Sequence, residues 1–114
     1  MPEIYKHSGR VYERPWGYNR SIIYLAKDKS IEFIEIKMER GQASKHHYHR
    51  MVTEYFYILS GSARFIIDDT EYNVSEGDFI VVKPMEKHKI VAGSNGVVIL
   101  AVKIPGSEED RIFV

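Results

Sequence analysis

The sequence predicts an all-β domain, a sandwich or barrel. Three observations carry that reading: short apolar-aromatic segments separated by turn signals at regular spacing, no long stretch with a 3.6-residue apolar period, and a composition rich in strand formers. Among its 114 residues are eight tyrosines and five phenylalanines alongside many Val and Ile, side chains that fit a pleated, half-buried surface. A chain of this length buries one core and is too short for two, so residues 1–114 are expected to form a single domain.

After an N-terminal arm, 1–20, with no clear periodicity, Ser21 to Leu25 and Ile31 to Met38 read as strands joined by the polar turn Lys27-Asp28-Lys29-Ser30. In the second strand Glu32, Ile34 and Ile36 share one face and Ile31, Phe33 and Glu35 the other, so neither face is cleanly polar. Arg40-Gly41-Gln42 breaks the chain before a stretch dense in histidine. EYFYILS, from Glu54, is apolar or aromatic on both faces, as a strand covered on both sides would be. Its outward set, Tyr55, Tyr57 and Leu59, is the expected contact surface of a homodimer. Gly61-Ser62 is read as a turn, Ala63 to Ile67 as a strand, Asp68-Asp69-Thr70 as a hairpin turn and Glu71 to Val74 as its return. Ser75 to Asp78 turns again into Phe79 to Val82; the loop Lys83 to Lys87 then delivers His88, which shares a strand face with Ile90. Gly93 to Gly96 is read as a turn before a last strand, Val97 to Lys103, and SEEDRIFV as a polar tail whose apolar end docks or stays loose.

Charge and cysteine content exclude several functions. Sixteen basic and sixteen acidic side chains cancel, which removes any general attraction to nucleic acid or an anionic membrane. The absence of cysteine rules out disulfides and thiolate metal sites and leaves histidine and carboxylate as strong ligands. MPEIYKHSGR lacks the apolar core of a signal peptide, and the longest apolar run, Val97 to Val102, falls far short of the ~20 residues of a membrane span. A cytoplasmic protein with a small-molecule ligand is the resulting expectation.

The chemistry concentrates between Gly41 and Gly61. His47 and His49 stand two apart, so on an extended strand both imidazoles point to one face. The odd step from His49 to Glu54 would put the carboxylate on the opposite face of a regular strand. A bend over Arg50 to Thr53 is therefore required, after which Glu54, Phe56 and Ile58 face inward. Two imidazoles and a carboxylate form a facial set with open positions that suits Fe(II), Mn(II), Zn(II) and similar ions.

Gly41, His47, His49, Glu54 and Gly61, separated by five, one, four and six residues, resemble the first motif of the cupin superfamily at every fixed position. The second motif is degenerate. Gly77 and His88 match in place, but Lys83 and Met85 stand where the family has proline and glycine, Pro84 comes one residue late, and Ala92 replaces asparagine. The resemblance covers about residues 31–103. It implies a double-stranded β-helix, or jelly-roll, barrel, and it implies His47, His49, Glu54 and His88 as ligands of one divalent metal ion, with Mn, Fe, Zn and Ni as the choices.

For activity, the resemblance leaves a metal-dependent isomerase, a mononuclear dioxygenase and a non-catalytic binding module in contention. Arg14-Pro15-Trp16-Gly17 is similar to a segment near the start of the cupin domain of mannose-6-phosphate isomerase/mannose-1-phosphate guanylyltransferase proteins, and the stretch HYHRMVTEYFYILSG resembles the corresponding segment of sugar-phosphate isomerase-like cupins. They lean the reading toward isomerisation of a sugar or sugar phosphate, with Arg64, Lys37 and Lys45 as candidate phosphate contacts. His46, adjoining the triad, points away from it by parity, and no general base is identified.

Overall fold

The computed structural model describes residues 21–27, 30–106 and 110–114, together with Met1, Pro2, Ile4 and Lys6. Arg14-Pro15-Trp16-Gly17 and most of the N-terminal arm lie outside the described residues. Among those described there are eight strands and no helix: β1 Ser21–Lys27, β2 Glu32–Met38, β3 His47–His49, β4 Thr53–Ile67, β5 Thr70–Ser75, β6 Phe79–Val82, β7 His88–Ile104 and β8 Arg111–Phe113. All pairings are antiparallel.

Two long strands form the frame. β4 and β7 run antiparallel along their whole lengths, from Thr53 opposite Ile104 to Ile67 opposite His88. The first half of β4 carries β6 on its other edge and the second half carries β5. The far half of β7 pairs with β2, which pairs with β1, while its near end pairs with β3. Each long strand thus belongs to two sets of neighbours, the arrangement that lets a sheet fold over into a jelly-roll barrel.

This continuity corrects the sequence reading at two places. Gly61-Ser62 and Gly93 to Gly96 are not turns between strands; β4 and β7 pass through them. The register shifts between Ile58 and Ser60 and again between Gly61 and Ala63, so the glycines mark a bend in paired strands. The two strands approach closely there: a Cβ on Gly61 would fall 2.1 Å from the Gly96 carbonyl oxygen, and Gly61 has φ +78°. Only glycine meets both demands. The other turns among the described residues fall where expected, while Asp28 and Lys29 of the first lie outside them. Asp68 and Asp69 take positive φ of 45° and 68°, the pair of left-handed conformations that a two-residue type I′ hairpin needs.

Alternation decides the core. Inward positions of β2, β4 and β7 supply Ile34, Ile36, Met38, Phe56, Ile58, Phe65, Ile90 and Ile99, all nearly or fully buried, and Phe56 meets Phe65 edge-on with centroids 5.1 Å apart. This apolar plug fills the barrel beside the histidines. The opposite face of β4 leaves Tyr57 and Leu59 exposed, as parity requires, beside exposed Phe79 and Val81 on β6. Arg111–Phe113 of the expected tail form β8, which pairs with β3 and matches His47 with Phe113, Tyr48 with Ile112 and His49 with Arg111, while 107–109 lie outside the described residues. No helix among the described residues is long and apolar enough to cross a membrane.

Candidate metal centre

His47, His49, Glu54 and His88, all buried, bring one ligand atom each to within 4.8 Å of one another. Three devices deliver them. The alternation of β3 turns His47 and His49 inward. The bend at Arg50 and Met51 then resets the parity, so that Glu54 on β4 also faces in. That bend is held by Asp110, whose carboxylate accepts the Met51 and Val52 N–H groups at 2.8 and 3.1 Å. His88 opens β7 directly opposite His47, and the loop before it is tied down on two sides. Met85 N–H donates to the His49 carbonyl at 2.6 Å and Asp68 N–H to the Lys87 carbonyl at 2.8 Å. Met85 has φ +72°, so it takes the left-handed conformation at the position where the cupin motif carries glycine.

Backbone carbonyls set the imidazole tautomers. His47 Nδ1 donates to the Lys45 carbonyl at 2.8 Å and His88 Nδ1 to the Glu86 carbonyl at 2.9 Å. A carbonyl only accepts, so the hydrogen of each neutral ring sits on Nδ1 and Nε2 is left as a lone pair for a metal. The ring centroids lie 4.3 Å apart for His47 and His88, 5.2 Å for His47 and His49, and 5.6 Å for His49 and His88. Glu54 Oε1 lies 2.5 Å from His49 Nε2 and 3.0 Å from His88 Nε2. Both nitrogens of His49 are buried and make no in-line hydrogen bond.

These observations test the fit to a cation. With the Nδ1 hydrogens of His47 and His88 spent on the backbone, their buried lone pairs lie close to a carboxylate oxygen and to the buried ring of His49. Acceptors crowded in this way repel unless positive charge lies among them, and a divalent ion at their focus supplies it. The donor set of three imidazoles and one carboxylate, with no thiolate, suits first-row divalent ions. The protonation states agree. Burial, opposed by the charge of Glu54, lowers the His47 pKa to about 2, so the ring is a neutral donor. Burial pushes the Glu54 carboxyl up, but the positive charge of the buried Lys103 overrides it and holds the group well below its ordinary value.

Other sequence candidates stand elsewhere. Arg64 is ion-paired with Glu71 on the exposed surface, and Lys37 is exposed on β2. Lys45 has its ammonium 5.7 Å from the centroid of the Phe113 ring. None of these three is among the grouped ligand residues. His46, half-buried, is outside the cluster too, as its parity predicts.

Two features escaped the sequence reading. Arg111, on the strand taken for a tail, lies directly opposite His49, and its charge opposes protonation of His47. Glu32 and Lys103 are buried inside the barrel with Lys103 Nζ 3.8 Å from Glu32 Oε2. Lys103 is the cross-strand partner of both Glu32 and Glu54, so a charged row leads from the sheet into the cluster. The alternation of Glu32 with Ile34 and Ile36 was a signal for its inward face; for Arg111 the sequence held none.

Fold and cluster define a class, small jelly-roll barrels with a buried group of candidate metal ligands inside. Comparison with known proteins gives the family: the profile of the cupin domain matches residues 34–103, more than half of the sequence, and the chain belongs to the cupin family. Quercetin 2,3-dioxygenase of Bacillus subtilis is 30% identical over 87 residues, which are 75% of this chain and 26% of that protein. The chain therefore spans about a quarter of the length of that relative. Among solved structures, an RmlC-like cupin from Shewanella frigidimarina superposes with a TM-score of 0.82 at 19% identity, covering 96% of each chain. A variant of Streptomyces Pac13 with uridine gives a TM-score of 0.85 at 16% identity, covering 100% of this chain and 92% of that one. At these identities the likenesses speak for the fold. The resemblance to mannose-6-phosphate isomerase finds no support in these matches.

Proposed function

We propose that the chain is a single-domain metal-binding cupin, residues 1–114 with its motif core at about 31–103, and that His47, His49, Glu54 and His88 hold one divalent ion, Mn, Fe, Zn or Ni. Its activity is of the metal-dependent isomerase type, on a small molecule that carries adjacent hydroxyl and carbonyl oxygens, as a sugar or sugar phosphate does. The observation that carries this reading is the gathering of four buried ligand residues, two of whose imidazoles, His47 and His88, have their tautomers fixed from behind by backbone carbonyls. Such anchoring is the support that metal-binding histidines use.

A bound divalent ion would supply Lewis acidity toward a substrate carbonyl. The chain's own residues do the rest. His47 stays neutral across the physiological range and so remains a donor. Glu54 brings the one negative charge among the four ligands, and Lys103 keeps that carboxylate ionised. Phe56, its ring centroid 6.5 Å from that of His88, and the apolar plug behind it exclude water from the inner side of the cluster, which strengthens every electrostatic contact there. A homodimer formed through the outward face of β4 and β6 belongs to the same reading.

A second reading, a mononuclear dioxygenase, is favoured by the 30% identity to a quercetin dioxygenase. A third, non-catalytic binding, has the same ligand set. One experiment separates them. Isomerisation of hydroxy-carbonyl substrates should proceed under anaerobic conditions with Mn(II) or Zn(II) bound. Oxygen consumption that depends on Fe(II) would select the dioxygenase. Thermal stabilisation by ligand with no chemical change would select the binding module.

A further inference from the structure

The four ligand residues are closed off from solvent: none is more than 3% exposed. The apolar core closes the inner side, and β4 and β7 are paired with each other along their whole lengths. An ion therefore reaches the cluster only when part of the surrounding wall gives way, and the part that opens is the one held least firmly. The wall is not uniform. His47 and His49 ride on β3, a strand of three residues whose pairing with β7 is at His47 alone, backed by the bond from the Met85 N–H to the His49 carbonyl. Along its other edge lies β8, also three residues long, and among the described residues β8 pairs with β3 only.

Residues 110–114 meet the histidine-bearing stretch position by position. Asp110 accepts the Met51 and Val52 N–H groups at the bend that turns Glu54 inward. Arg111, Ile112 and Phe113 stand opposite His49, Tyr48 and His47, and the Val114 N–H donates to the His46 carbonyl at 3.0 Å. Directly opposed residues of an antiparallel pair project to the same face of the sheet. Phe113 therefore shares the inward face of His47, and the two ring centroids lie 6.3 Å apart. Phe113 is nevertheless 48% exposed, so the same residue reaches both a ligand and solvent. A three-residue edge strand with one pairing partner and exposed side chains opens at low cost, whereas the long ladder of β4 and β7 opens only with the whole barrel.

We propose that β8 and Asp110 form a clamp on the limb of the site that carries His47, His49 and the bend to Glu54, and that release of this clamp is the step by which the ion enters and leaves. Asp110 is its positioning residue: it touches no ion, and it fixes the bend on which the inward aim of Glu54 depends. The proposal rests on the metal reading above and adds the control of ion exchange to it. Linkage makes the coupling reciprocal, so a closed clamp that favours the ion is itself favoured by the ion to the same degree. The bonds made by residues 110–114, which supply none of the four ligands, are therefore tightened when the site is filled.

Two measurements on the intact chain test the proposal, with Zn(II) as the probe. Amide hydrogen exchange, followed by NMR in the metal-free and the Zn(II)-loaded protein, reads the clamp itself: loading should slow exchange at Met51, Val52 and Val114 on the order of tenfold. Transfer of Zn(II) to excess EDTA reads ion release. Asp110→Ala should quicken that transfer on the order of tenfold or more, and in the metal-free protein it should quicken exchange at Met51, Val52 and Val114 while the amides of the β4 and β7 ladder keep their protection. Asp110→Asn, which keeps an acceptor oxygen, should recover part of both losses. Release of Zn(II) from Asp110→Ala at the parental rate, or exchange at Val114 that ignores loading, would overturn the proposal and leave the metal reading standing. Protection lost equally along β4 and β7 in Asp110→Ala would make Asp110 a residue of general stability and overturn it as well. A parent chain that takes up no Zn(II) removes both the clamp and the metal reading.

Discussion

At the scale of single residues, the tautomers are what turn four polar side chains into a coherent donor set. Lys45 and Glu86 contribute only their carbonyls, yet these decide which nitrogen of His47 and His88 faces the barrel. Replacing His88 with Ala should weaken ion retention and leave the fold intact, because β7 is held by β4 along its whole length; equilibrium dialysis against a chelator measures it, and unchanged affinity would remove His88 from the ligands. Acid adds a second expectation. An unfolded chain protonates His47 near pH 6.5, the folded one only near pH 2. Between those values the unfolded state binds more protons, so the stability of the metal-free protein falls as pH drops below about 6.5. His47 alone accounts for about 2 kcal/mol between pH 6.5 and 5. The depressed carboxyl of Glu54 acts in the same direction at lower pH, its contribution being lost as pH falls below the ordinary carboxylate range. Urea melts of chelator-treated protein across this range give the slope; a stability that rises on acidification would contradict the assignment of His47 as a neutral buried ring.

At the scale of elements, the bends matter more than the strands. β4 and β7 each serve two sets of neighbours because they yield at Gly61 and Gly96, where the chains pass within a distance that no Cβ tolerates. Gly61→Ala should cost on the order of 2 kcal/mol or more, from the clash and the left-handed backbone together, and thermal denaturation reads it as a lowered midpoint. Met85 gives the converse case. It is largely exposed and has φ +72°, so Met85→Gly relieves about 1 kcal/mol of left-handed strain against a similar gain in unfolded-state entropy. The variant should melt within a few degrees of the parent. A large loss of stability would mean that the Met85 side chain, not its backbone, holds the loop to β3.

At the scale of the whole molecule, the exposed apolar surface on β4 and β6 is the feature with an expected consequence. Tyr57, Leu59, Phe79 and Val81 form an outward patch next to Tyr55, whose ring stacks on Phe79 at 6.1 Å. The proposed homodimer covers it. Sedimentation should give twice the 13.3 kDa chain mass, and Tyr57→Lys with Val81→Lys should halve it; a parent that sediments as a monomer at high concentration would remove the dimer. How much of this was legible in the sequence follows from the range of the interactions. The inward face of His47, His49 and Glu54 rests on local parity and one bend, and the sequence carried both. His88 came only through a motif, since nothing local says that β7 begins opposite β3. Glycines at 61, 93 and 96 read as turns because a glycine's permissiveness looks the same whether the chain reverses or merely bends. Arg111 was hidden because β8 is three residues long and owes its place to pairing with β3.

The central claim is that side chains drawn from β3, β4 and β7 grip one cation inside the barrel. Elemental analysis of protein purified without added metal, beside a His47→Ala, His49→Ala variant, tests it most directly. The account expects close to one equivalent of a first-row divalent ion in the parent and little in the variant; equal metal in the two would contradict it.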